Sequence, residues 1–176
     1  MSAAAPAPAL ATATQRADAN RTLLAALIAS VGMLFTAFAA AYLERRTSGA
    51  AWIKITLPAM VWANTAVLLA SSVTMEIARR TGKRAWVAGT IVLACLFLLG
   101  QLAAWASLRE SGIVLSSTAH ASFFYLLTAL HGVHLLGGLI ALAAAQTRPR
   151  ILGLVAGFWH FMGGIWIYVL ILLTAL

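Results

Sequence analysis

Between residues 118 and 146 the chain reads TAHASFFYLLTALHGVHLLGGLIALAAAQ, a run with no Asp, Glu, Lys or Arg. A helix that crosses a bilayer needs about 20 predominantly apolar residues. An amphipathic helix of a soluble domain would instead interrupt its apolar stripe with charges on the opposite face. The run therefore reads as a membrane crossing. Working outward, four similar runs are found, at 22–43, 55–75, 85–108 and 151–175. Together they predict an all-α, polytopic membrane protein: a five-helix membrane domain over residues 21–176, preceded by a disordered tail over 1–20 rich in Ala and Pro. Residues 111–117 are also uncharged, but Ser and Gly bound them and they read as a loop.

Composition agrees. The chain is 62% hydrophobic and 9% charged, with a mean hydropathy of +0.94, whereas a soluble domain carries about 25% charged residues. The only carboxylates are Asp18, Glu44, Glu76 and Glu110, all in the tail or between the apolar runs. That is what a bilayer demands, since a charge at its centre costs a few kcal/mol or more. The net charge of +8 would suit nucleic acid, but the cations sit in short turns and favour lipid headgroups instead. Cys95 is the only cysteine, so no intrachain disulfide forms, and it reads as a small packing residue.

The tail lacks a positive n-region, and the first run ends in Glu44-Arg45-Arg46, so a retained helix is expected there instead of a cleaved signal. Lys and Arg set the orientation. Arg16, Arg21, Arg79, Arg80, Lys83, Arg84, Arg148 and Arg150 fall on one side, against Arg45, Arg46, Lys54 and Arg109 on the other. The richer side should be cytoplasmic, with the N-terminus inside and the C-terminus outside.

Polar residues inside the spans point to helix contacts or sites. In the second span Asn64 and Ser71 share a face, as do Thr65 and Ser72, each pair seven residues apart. In the fifth, Gly153, Gly157, His160 and Gly164 form one stripe on which another backbone can approach closely. In the fourth, His131 and His134 share a face near Thr128. Because the last two spans are antiparallel, His131 and His160 should lie at similar depth. Three readings follow: hydrogen-bonding glue across helices, a b-type haem held by His160 with His131 or His134, or a polar pocket that relays protons. A catalytic metal is a weaker reading, since no carboxylate or thiol joins the histidines. Gln101 and Trp105 sit four apart at the outer end of the third span. Trp52, Trp62, Trp86, Trp105, Trp159 and Trp166 spread over the chain, several near expected interfaces where they suit an aromatic belt, while Trp62 and Trp166 look deeper and read as packing residues. Pro58 is expected in the first turn of the second span. No phosphate loop, nucleophile elbow or CxxC is present, which suits a subunit more than a self-contained enzyme.

Four blocks in order resemble subunit III of the haem–copper oxidases, from about Leu27 to Leu173. The first is Leu57-Pro58-Ala59-Met60-Val61-Trp62-Ala63-Asn64-Thr65, continuing through Ser71, Ser72 and Thr74 to Glu76. The second is Phe97-Leu98-Leu99-Gly100-Gln101 with Trp105. The third, and most specific, is Ser122-Phe123-Phe124-Tyr125 with Thr128 and His131-Gly132-Val133-His134. The last is Phe158-Trp159-His160-Phe161 with Trp166. The family commonly has seven helices, and this chain resembles a shorter form without the first two. The resemblance implies a non-catalytic subunit of a bacterial, proton-pumping cytochrome c oxidase in the inner membrane, with no haem, copper or other metal of its own. Haem and copper would sit in partner subunits. Subunit I would be the direct partner, with subunit II in the same complex, and the chain would hold phospholipid and support oxygen access and proton uptake. The family motifs and the packing stripes together single out Trp62, Asn64, Ser72, Glu76, Gln101, Trp105, Thr128, His131, His134, Gly157, Trp159 and His160 as candidates for packing or lipid contact. Accessory subunits of quinol oxidases or nitric oxide reductases share the fold and are the alternative. One departure stands out: where the family carries a Ser-Glu pair, this chain has Ser30-Val31.

Overall fold

The computed structural model describes residues 8–48 and 52–175. They form five helices: α1 (Pro8–Thr47), α2 (Ala59–Thr81), α3 (Arg84–Glu110), α4 (Ala119–Thr147) and α5 (Leu152–Ala175), with a short 3₁₀ turn at Pro149–Ile151 before the last. All five are long and apolar enough to cross a membrane, α1 through its Asp18–Thr47 part. Along each span the helix pairs its backbone groups within itself, which hydrocarbon requires.

Two boundaries differ from expectation. α1 runs back to Pro8 through a stretch read as tail. Its alanines are the strongest helix formers, and proline at a helix start gives up an N–H that has no partner there anyway. Met1 to Ala7 lie outside the described residues. α2 begins only at Ala59, because Pro58 takes an extended conformation (φ −60°, ψ 146°) as the residue flanking the helix. Residues 52–58 form an extended connection over one end of the bundle.

The connections explain the topology. α2 and α3 are joined by Gly82 and Lys83 alone; Gly82 adopts φ 66° and its N–H closes on the Ala78 carbonyl at 2.8 Å. Only glycine takes that left-handed conformation without strain, so the helix stops there and the chain reverses. At the other end Thr118 caps α4, its Oγ1 accepting from the Ala121 N–H at 3.0 Å.

α5 is the axis of the bundle and packs on α1, α2 and α4. Its Trp159, Met162, Trp166, Val169 and Leu173 are almost wholly buried, against Phe35, Leu68, Phe97, Phe124 and Leu135 from the surrounding helices. Leu99, Val133 and Ile140 point outward, as lipid-facing residues do. Hydrophobicity does not drive helices together in lipid, so close packing and hydrogen bonds must. The tight contacts fall at Gly100, where an added Cβ would overlap the Asn64 side chain, at Gly138 against Phe158 and Trp159, and at Gly163 against Ser72. These are not the glycines expected. Gly153 and Gly164 have nothing within 4 Å of an added Cβ, and Gly157 meets only Leu24 at 3.8 Å. With His160 they form the exposed edge of α5. The spacing found one face correctly, but that face looks outward because the opposite one carries the two tryptophans.

Candidate functional site

The polar stripe of α2 meets the buried face of α5. The Trp166 indole donates to Thr65 Oγ1 at 3.0 Å, and Trp159 donates to Ser71 Oγ at 3.1 Å. Each hydroxyl also donates along its own helix, Thr65 to the Val61 carbonyl at 2.8 Å and Ser71 to that of Leu68 at 2.7 Å. The hydroxyls are thus oriented as acceptors for the indoles, and both donors are satisfied inside the bundle. Ser72 lies beside them, against Gly163. From the same polar stripe of α2, Asn64 Nδ2 donates to the Phe97 carbonyl of α3 at 3.3 Å. Near the α2–α3 turn Thr74 and Thr90 share a hydrogen bond at 2.9 Å. Trp159 is therefore a buried clamp, whereas Trp62, read as a packing residue, is 54% exposed. Trp62 lies only four residues into α2, near its start.

The second cluster joins α3 to α4. The Trp105 indole donates to Thr128 Oγ1 at 3.1 Å, and that hydroxyl donates to the Phe124 carbonyl at 2.7 Å. Gln101 lies one turn away, buried, with neither amide atom hydrogen-bonded. An apolar groove of ≈ 320 Å³ opens alongside, lined by Leu98, Gln101, Trp105, Thr128, Gly132 and Leu136.

The histidines separate. His131 is fully buried between Phe97 and Trp166, with ring centroids 5.8 and 4.9 Å away, and neither ring nitrogen has a partner. His134 bonds only within its own helix, Nδ1 to the Leu130 carbonyl at 2.7 Å, and borders a groove of ≈ 340 Å³ between α1, α4 and α5. His160 points the other way, its Nε2 3.6 Å from Glu76 Oε2. Glu76 itself accepts from Arg79 Nε and Nη2 at 2.7 and 2.6 Å and from Arg80 Nε at 2.6 Å. Interhelical glue here comes from indoles, hydroxyls and the Asn64 amide, not from His131 or His134. The pairing of His160 with His131 or His134 expected for a bis-histidine haem is not assembled: His131 packs on Trp166, inside, while His160 lies on the outer edge of α5. Among the described residues no group of three or more His, Cys, Asp or Glu is placed to hold a metal.

One residue escaped the sequence reading. His120 is wholly buried at the start of α4, where it joins three elements: its Nε2 lies 3.1 Å from the Leu173 carbonyl of α5, and its Nδ1 lies 3.4 Å from the Ile55 N–H of the α1–α2 connection. Nothing in the spacing marks it, since its partners are backbone groups remote in sequence. Val31, at the position of the family carboxylate, is buried in α1 as part of the apolar core.

No protein-family model matches the chain. It is similar to a probable cytochrome c oxidase subunit 3 of Mycobacterium leprae, 36% identical over 120 residues, covering 58% of this chain and 59% of that one. A cytochrome c oxidase subunit 3 of Synechocystis is 29% identical over 168 residues, covering 81% of this chain and 70% of the relative. Subunit 3 of a cytochrome bo(3) ubiquinol oxidase of Pseudomonas aeruginosa is 29% identical over 126 residues, covering 62% and 60%. The chain spans less than two thirds of the length of the curated relatives to which it is at least 30% identical. The resemblance seen in the four blocks thus extends to homologues named as oxidase subunit 3, and the five apolar helices fit a short subunit of that kind.

Proposed function

We propose that this chain is a non-catalytic, multi-pass subunit of a bacterial haem–copper oxidase, in the inner membrane, that packs on the catalytic subunit and retains phospholipid. The observation that carries this reading is its similarity to relatives named as oxidase subunit 3. Haem and copper belong to subunits I and II, which supply the oxygen chemistry and the electron entry. This chain's own task is mechanical. Within the spans its polar groups lie mostly inside the bundle, so what it presents outward is apolar surface, two apolar grooves, and the small-residue edge of α5. Gly153, Gly157 and Gly164 on that edge admit a neighbouring backbone at close range, and this edge is the surface on which subunit I docks. The grooves on α3–α4 and on α1–α4–α5 take acyl chains. Lipid held there keeps an apolar path for oxygen and seals the subunit boundary during proton uptake. The N-terminus is cytoplasmic by the distribution of Lys and Arg.

The test is affinity purification of the tagged full chain from its own membranes, followed by subunit identification and a reduced-minus-oxidised spectrum. Co-purification of a haem-bearing subunit I is expected, with a copper-A subunit II if cytochrome c is the donor. Recovery of the chain alone, or with partners lacking haem, refutes the reading. A quinol oxidase assignment is the second reading, favoured by the similarity to a ubiquinol oxidase subunit 3. Oxidation of quinol by a complex lacking copper A would select it.

A further inference from the structure

The end of the bundle that carries the α1–α2 connection is closed by one histidine. Leu173 offers His120 a carbonyl, which can only accept, so Nε2 carries the hydrogen. Ile55 offers an N–H, which can only donate, so Nδ1 must be bare. A single neutral tautomer satisfies both. An imidazolium carries hydrogens on both nitrogens and would set one of them against the Ile55 N–H. We propose that His120, held at the start of α4 by the C-terminal end of α5, is a proton-operated latch that fastens the α1–α2 connection there and releases that connection when the ring is protonated.

The surroundings make the closure depend on that ring. Tyr42 and Trp52 pack edge-on to it, with centroids 6.1 and 5.7 Å away, and on each other at 5.0 Å. Both the Tyr42 hydroxyl and the Trp52 Nε1 are buried there without a hydrogen-bond partner. Closure therefore holds two polar groups away from water, at a cost that opening would relieve. The titratable or charged groups facing His120 are Tyr42 from α1 and Lys54 from the connection, while α5 presents backbone carbonyls. Lys54 is itself occupied, its Nζ donating to the Thr174 carbonyl at 2.6 Å. Among the described residues no carboxylate forms an ion pair with His120 that would keep a charged ring in place. On protonation the bond to Leu173 persists and the bond to Ile55 is lost, so the connection over 52–58 is the part that lifts.

Amide hydrogen exchange of the full chain in lipid nanodiscs tests this, with rates corrected for the pH dependence of the exchange chemistry. Protection at Ile55 should fall at least tenfold between about pH 8 and about pH 5, the range in which histidines titrate. In His120→Gln, whose amide accepts and donates at any pH, protection should not change across that range. A flat wild-type profile, or the same fall in the variant, overturns the proposal. Should His120→Gln fail to fold, the ring nitrogen shifts of wild-type His120 decide. A ring bare at Nδ1 at high pH that becomes imidazolium as Ile55 opens supports the latch. Opening while the ring stays neutral, or a charged ring with Ile55 still protected, refutes it.

Discussion

Thr65→Val and Trp166→Phe, singly and together, measure whether indole–hydroxyl clamps hold α5 in the bundle. Thr65→Val removes the acceptor and leaves the Trp166 N–H buried beside apolar atoms; a stranded donor costs about 1–3 kcal/mol. Trp166→Phe removes the donor and also leaves space in a site that is fully buried, at about 24 cal/mol per Å³ of residual cavity, so it should be the more damaging single change. Cavity and transfer costs cancel in the cycle and only the pair energy remains. Interhelical hydrogen bonds in membranes average about 0.6 kcal/mol and reach about 1.7. This pair should lie towards the upper end, because the Thr65 hydroxyl is already oriented by its own bond to Val61. Reversible unfolding of the purified chain in mixed micelles, titrated with a denaturing detergent, gives all four free energies. A double mutant whose loss equals the sum of the singles within about 0.3 kcal/mol would refute the clamp. Ser71→Ala with Trp159→Phe should behave alike, and Thr65→Val with Trp159→Phe should be additive.

Three further outcomes follow from the packing. Gly100→Ala should destabilise the chain by about 1–3 kcal/mol, because the new methyl displaces Asn64 from the α2–α3 interface; adding Asn64→Ala should recover part of that loss in the same unfolding assay. His131→Phe should change stability by less than about 1 kcal/mol, since it exchanges two unsatisfied ring nitrogens for apolar edges among Phe97 and Trp166; a loss above about 3 kcal/mol would mean that the ring has a polar partner. Gly157→Leu should leave the unfolding free energy of the isolated chain nearly unchanged, because only Leu24 lies close, yet reduce recovery of subunit I in the pull-down. Undiminished recovery of a fully active complex would move the docking surface elsewhere.

The five crossings were legible from residue order alone. Hydrocarbon forbids unsatisfied backbone and isolated charge, so uncharged runs of sufficient length declare themselves, and the charged residues Arg79 to Arg84 and Arg148 to Arg150 mark the turns between them. The polar stripe on α2 was legible too, because Asn64, Thr65, Ser71 and Ser72 have no reason to face lipid. Helix rotation was not. On α5 every face is apolar or small, so hydropathy favours none, and the glycine stripe invited an inward reading that Trp159 and Trp166 defeat. The same rotation separates His160 from His131 and dismantles the haem site their similar depth suggested. His120 shows the limit most plainly, since its partners, the carbonyl of Leu173 and the N–H of Ile55, are groups every residue carries and no sequence pattern can single out. Residue order determined which segments enter the membrane, because transfer from water to lipid is decided segment by segment; the tertiary structure decided which faces meet, because that depends on shape and hydrogen-bond pairing between helices equally soluble in lipid.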